Sequence, residues 1–248
     1  MLPELAPEEI ATSLDAVAME VLDEAGVDRP PVDAFGVAAA LGIAVALDDC
    51  QHGRARYVRL KGYRSPCPRA TILLRPEPRP ERKHWAVAHE IGEHVAHRVF
   101  ARLGADPCTA AGNARELVAN HLAGRLLLPG AWFEPDACRC GWDLLTLKAR
   151  YATASHELIA RRMLECRPPV IITIFDHGRL YFRRSNLPGR APSLSPVERQ
   201  CWETVHRRNR PQDATEGTRA VRGWPVHEEG WKREVLRTEV EDFGVDAG

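Results

Sequence analysis

Between Ala88 and His97 the chain reads A-H-E-I-G-E-H-V-A-H. Residues four apart on an α-helix differ by about 40° around its axis, so His89 and Glu93 would share one face on successive turns. In the metal-binding pattern H-E-x-x-H two histidines use that spacing to reach one ion. The glutamate after the first histidine sits about 100° around, within reach of a water on the ion. Here His89 holds the first ligand position, Glu90 the base position, and Glu93 replaces the second imidazole. A carboxylate oxygen binds zinc at nearly the distance of an imidazole nitrogen, so H-E-x-x-E still offers two donors on one face. His94 lies five residues after His89, about 140° around, and would ligate only through a π-bulge. His97, eight residues on, is about 80° off and a turn further away, a supporting group or a surface histidine.

Such a site needs a third protein donor and an open position for water. The ion acidifies that water, the glutamate accepts its proton, and the oxygen attacks a polarised carbonyl. Downstream, A-R-E-L-V-A-N-H-L-A-G-R-L-L-L-P-G (114–130) places Glu116 and Asn120 four apart on one face, with Leu117, Leu122, Leu126 and Leu127 opposite. Glu116 is a candidate third donor. Its position is equally that of an acid favoured by the dipole at a helix start.

The elements that would carry these residues follow from periodicity and punctuation. Residues 8–25 form an amphipathic helix stopped at Gly26, and Val32 to Leu41 a second, stopped at Gly42. G-I-A-V-A-L (42–47) reads as a buried strand, followed by strands over Arg56–Leu60 and Ala70–Leu74. Helices follow over Glu81–Leu103 and Thr109–Leu128, the latter closed by Pro129-Gly130. Two short helices flank A-T-A (152–154), with Ser155 as N-cap of the second. V-I-I-T-I-F and R-L-Y-F-R-R form a hairpin with Gly178 at its turn. After Asn186 a Pro-rich connector leads to a helix over Ser195–Arg208, then strand-like pieces within 218–243.

Lys and Arg number 34, as do Asp and Glu, among 248 residues that are 44% hydrophobic. A net charge of +0 argues against a bulk electrostatic grip on nucleic acid. No stretch approaches the roughly 20 apolar residues of a membrane span. The acidic start M-L-P-E-L-A-P-E-E-I lacks a signal peptide's basic and apolar regions, and a cytoplasmic location is expected. The 7 cysteines, at 50, 67, 108, 138, 140, 166 and 201, are then free thiols. Cys138-Arg139-Cys140 has no second pair and is not a zinc site.

Several segments, taken in order, resemble the ImmA/IrrE zinc peptidases. P-P-V-D-A-F-G-V-A-A-A-L-G-I-A-V, starting at Pro30, looks like the family's amino-terminal helix and first strand. W-A-V-A-H-E-I-G-E-H-V-A-H (85–97) looks like its metal helix, whose later histidine aligns with His97. The stretch from Ala114 to Pro129 looks like its glutamate helix, with Glu116 at the ligand position and Asn120 nearby. The helix pair of 142–165 and the following hairpin also fit, so the resemblance covers roughly residues 10–185.

The resemblance implies an α+β fold: a mainly helical, zincin-like peptidase domain with a small sheet over 1–186, including a helix-turn-helix-like part. A β-containing extension over 187–248 would pack on it. It implies a zinc-dependent endopeptidase of the kind that cuts a helix-turn-helix repressor, switching on a stress-response or mobile-element operon. His89, Glu93 and Glu116 would hold the metal and Glu90 would be the base. His94, His97 and Asn120 would support the ligands or the oxyanion. One imidazole and two carboxylates make a more anionic donor set than the usual one. That weakens the ion as a Lewis acid and shifts preference slightly from zinc towards manganese.

A non-catalytic metal- or protein-binding regulator on the same fold is the alternative. DNA binding by the helix pair is a third reading. Against it, Leu158, Ile159 and Met163 look like core, and Arg161 and Arg162 are ordinary helix-end cations. No G-x-S-x-G or nucleotide-binding glycine pattern is present. Trp202, Trp224 and Trp231 would build a satellite core or a docking surface.

Overall fold

The computed structural model describes residues 6–50, 52–60, 68–106, 113–228 and 230–240. Residues 1–5 of the acidic start, Cys67, Cys108, the expected helix start at 109–112 and residues 241–243 lie outside the described residues. The chain divides into two compact units, Met1–Arg139 with Ala149–Ser155, and Cys140–Lys148 with His156–Gly248.

In the first unit, helix α1 (Pro7–Glu24) buries Leu14, Val17, Ala18, Val21 and Leu22, the three-and-four spacing of one helix face. Helix α2 (Ala34–Ala40) starts at Asp33, whose carboxylate accepts the Phe35 N–H. Strands β1 (Ala44–Leu47), β2 (Ala55–Leu60) and β3 (Arg69–Leu74) form a sheet of order β1-β3-β2, with β1 parallel and β2 antiparallel to β3. Central β3 buries Ile72 and Leu74. The expected burial of β1 is corrected: it is an edge strand, and its Leu47 is 70% exposed.

Helices α3 (Pro80–Arg102) and α4 (Ala114–Leu127) pack against each other, and α1 packs on both. Leu122, Leu126 and Leu127 of α4 are buried as expected, while Leu117 is exposed. Arg125 of α4 is buried against α1, its guanidinium paired with Asp15.

A helix not foreseen from sequence, α5 (Gly130–Arg139), follows at once. The carbonyl of Pro129, expected only to end α4, accepts the N–H groups of Trp132 and Phe133 and so opens the next helix. Pro135 inside α5 hides its periodicity, but Phe133 and Ala137, four apart, are fully buried. Within this unit Asp136 accepts hydrogen bonds from Tyr151, Arg139 and Arg150.

The α6 (Leu144–Arg150) and α7 (His156–Arg162) segments are the two short helices expected on either side of a turn. In the second unit Ile159 and Met163 are buried. Arg161 pairs with Glu157 at 2.7 Å and stacks over Phe182. Arg162 is buried and paired with Glu165, which corrects its reading as an ordinary helix-end cation.

Strands β4 (Val170–Asp176), β5 (Arg179–Ser185), β6 (Gln212–Glu216), β7 (Arg219–Pro225) and β8 (Arg233–Glu239) make one antiparallel sheet of order β5-β4-β8-β7-β6. Between β4 and β5, His177 and Gly178 both have positive φ (48° and 76°), the mirror-image turn a two-residue hairpin favours. Helix α8 (Pro196–Arg208) opens with a capping box between Ser195 and Glu198. It covers the sheet through Val197, Cys201 and Val205, which pack with Phe175, Val221 and Leu236. Trp202 stacks on Phe175 at 4.6 Å and Trp224 is fully buried, so two of the three late tryptophans build core, while Trp231 is 37% exposed.

The expected division after residue 186 is corrected by this sheet. β4 and β5 precede that point, yet β8, from beyond it, pairs along the whole of β4 from Val170↔Glu239 to Asp176↔Arg233. Among the described residues, no helix is long and apolar enough to cross a membrane.

Candidate metal site

The face α3 turns to its neighbours carries small residues at a spacing of four, Ala88, Gly92 and Ala96, all buried. Opposite them α4 presents Ala119 and Ala123, also fully buried. A Cβ on Gly92 would lie 2.7 Å from the Ala119 carbonyl oxygen and 3.1 Å from its Cα. The two backbones are therefore closer than any side chain at 92 allows.

That close approach brings the donors together. One ligand atom each from His89, Glu93 and Glu116 lies within 4.8 Å of the others. His89 Nε2 and Glu116 Oε2 are 3.5 Å apart. Two ligands of a tetrahedral ion with bonds of about 2.0–2.2 Å sit about 3.4 Å apart, so the pair spans an ion without rearrangement. Asn120 donates from Nδ2 to Glu116 Oε1 at 3.0 Å, which orients the carboxylate from one turn along α4. Arg115 donates to the backbone carbonyl of Glu93 and leaves the Glu93 carboxylate alone. Imidazole plus two carboxylates, with no basic side chain paired to the Glu93 carboxylate among the described residues, is a donor set that fits a divalent cation.

Glu90, next to His89 on α3, is buried at 6% exposure. Burial pushes its carboxyl above the usual range. His89 and a Tyr57 backbone N–H pull it down, and Glu93 and Glu116 push it up. Together with Arg54, Ala55, Trp85, Ala86, His89, Glu116 and Asn120 it lines a cleft of about 240 Å³.

α3 is α-helical throughout, without the π-bulge that would turn His94 inward. His94 Nδ1 meets the Tyr57 hydroxyl of β2 at 3.0 Å instead. Burial, then His97, Arg59 and Arg98, hold the His94 imidazole below its usual range. His97 is exposed, and its Nδ1 is 3.0 Å from the His94 carbonyl. Of the three residues expected to support the site, Asn120 touches a ligand, and His94 and His97 do not lie in the group.

Three residues of the site were not singled out from sequence. Trp85 could have been, since it lies four before His89 on the same helix. Gly92, a glycine inside a long helix, was a signal of close packing. Arg54 reaches the cleft only through the placement of β2 and had no local signal.

No curated protein matches the chain. A solved structure of a Mycobacterium tuberculosis transcriptional regulator shares the fold, with a TM-score of 0.61 at 19% identity over 92% of this chain and 75% of that one. The IrrE N-terminal-like domain of peptidase family M78 matches residues 38–164, a span that holds His89, Glu90, Glu93 and Glu116. With half of its length in that match, the chain belongs to the IrrE N-terminal-like domain family.

Proposed function

We propose that the chain is a metal-dependent endopeptidase in which His89, Glu93 and Glu116 hold a zinc ion and Glu90 is the general base. The observation that carries this is the convergence of three donors from α3 and α4 within 4.8 Å, beside a buried carboxyl. Bound there, the ion supplies a Lewis acid for a peptide carbonyl and lowers the pKa of an attacking water. Glu90 takes the proton from that water onto its carboxylate and delivers it to the leaving amine. Burial raises the Glu90 carboxyl in the metal-free chain, which is the direction a general base that later serves as an acid needs. Asn120 keeps Glu116 facing His89 while this occurs. The substrate is a regulatory protein, of which a helix-turn-helix repressor is the first to test.

The donor set also favours a second reading, a metal-binding regulator without cleavage, because two carboxylates reduce the ion's power to polarise a carbonyl. Elemental analysis of the purified chain and digestion of a repressor encoded beside it separate the readings. The peptidase requires about one ion per chain, lost in Glu116→Ala, and cleavage that disappears in Glu90→Gln while the metal stays. Glu90→Gln cleaving as fast as the parent removes the mechanism, and a metal-loaded chain that cuts no repressor supports the regulator.

A further inference from the structure

Among the described residues that line the cleft beside the donor group there is one arginine and no lysine. Arg54, just before β2, lines the cleft with His89, Glu90, Glu116 and Trp85. Its backbone carbonyl accepts the Arg75 N–H at 2.9 Å, which fixes where the side chain starts. The guanidinium has no ion pair and no hydrogen bond among the described residues, although three carboxylates belong to the same site. An exposed arginine elsewhere is ordinary. An exposed arginine in a cleft whose other charges would attract it, yet unpaired, is a free planar donor. Its five N–H groups match a carboxylate in two-point geometry. Trp85, half-buried on the neighbouring helix, supplies an apolar wall next to it.

We propose that Arg54 is a specificity-determining residue that binds a carboxylate of the substrate near the scissile bond, supplied by an acidic side chain or by the peptide's C-terminus. The inference rests on the peptidase reading, and its test has an arm that does not. In the first arm the zinc-loaded full chain digests a mixed peptide library, and the products are sequenced by mass spectrometry. Asp and Glu should be enriched about tenfold at one fixed position from the cut, the factor one good charged contact yields. Arg54→Gln should abolish that enrichment, and Arg54→Glu should replace it with Lys and Arg. Amidated and free-acid versions of the best peptide separate the two sources. Loss of cleavage on amidation assigns the terminus, and loss on Asp→Asn or Glu→Gln assigns the side chain.

In the second arm, zinc-loaded Glu90→Gln binds an acidic peptide and its amide counterpart in a calorimeter. The acidic form should bind about tenfold tighter, and adding Arg54→Gln should erase the difference. Cleavage without acidic preference, or a preference that survives Arg54→Gln, overturns the role of Arg54 and leaves the peptidase standing. A wild type that cuts nothing overturns the peptidase, and the calorimetric arm then decides Arg54. Equal binding of the two peptides refutes it. Far-ultraviolet circular dichroism of each variant checks the fold, which an exposed side chain at 54 does not support.

Discussion

Replacing Gly92 by alanine tests whether the closeness of α3 and α4 sets the site. The new Cβ would meet the Ala119 carbonyl oxygen at 2.7 Å, where ordinary contact begins at 3.4 Å, so the helices must separate by about 0.7 Å. The obstacle is backbone and no rotamer change relieves it. Overpacking of this kind costs about 1–3 kcal/mol. Alanine also favours the helix by about 1 kcal/mol over glycine, which masks part of that cost. Gly36→Ala in α2 corrects for the mask, since a Cβ there meets only the Asp33 carboxylate at 3.5 Å and keeps the helix gain. The difference between the two variants in urea unfolding of the metal-free protein isolates the steric cost, and should be about 1–3 kcal/mol. Metal affinity should suffer as well. Coordination distances tolerate about 0.2 Å, and disturbing a ligand's support weakens binding about 10- to 100-fold. A chelator competition with zinc measures it. Two alanine variants of equal stability, with zinc affinity at 92 unchanged, would refute the claim that this contact positions the ligands.

Three further outcomes are expected. His94→Gln should retain the full metal content of the parent, because His94 meets Tyr57 and not the donor group; elemental analysis showing loss would sink that assignment. Burial pushes the Cys201 thiol up to about 11, so iodoacetamide at pH 8 should label the exposed Cys50 and Cys138 in the native chain and reach Cys201 only on unfolding, as read by peptide mass spectrometry. Burial raises Glu198, but Arg183, the Ser195 N–H and the Thr238 hydroxyl hold it below 4.5 overall. Its folded value is thus lower than its unfolded one, so its stabilisation is complete above pH 4.5 and is lost as pH falls through the folded value. Glu198→Gln should lower stability at pH 7 and flatten the loss below pH 4.5, measured by urea titration at a series of pH values.

The candidate donor group was legible because helical spacing is local. His89 and Glu93 share a face by arithmetic alone, and Glu116 with Asn120 repeats that arithmetic on a second helix, where the hydrogen bond between them now appears. Glu93 and not His94 joins His89 in the candidate donor group because α3 is unbroken. What escaped the sequence depends on partners far along the chain. Tyr57, 37 residues before His94, draws that ring away, and Arg54 enters the cleft from a strand whose placement no local pattern fixes. The 186/187 division failed for the same reason, since β8 inserts between β4 and β7 and pairing order is not written in either strand. β6, Q-D-A-T-E, escaped because an edge strand needs only a single inward residue, here Ala214, to join the core.

Glu93 changes the electrostatics of the site more than its geometry. The helix holds position 93 over position 89 whichever side chain stands there, so the donor triangle survives the exchange of imidazole for carboxylate. Glu90 and Glu116 then line the cleft and Glu93 stands in the donor group beside it, with Arg54, Arg115 at the Glu93 carbonyl and His89, when protonated, as nearby cations among the described residues. In the proposed enzyme this has two opposing effects. A more anionic donor set makes the ion a weaker Lewis acid. In the metal-free chain the same charge at Glu93 and Glu116 raises the proton affinity of Glu90. The excess negative charge also repels an acidic substrate, so a carboxylate-bearing peptide needs a cation in the cleft to be held. Arg54 lines the same cleft, and the carboxylate at 93 makes a cation there more consequential for binding than it would be beside a second imidazole.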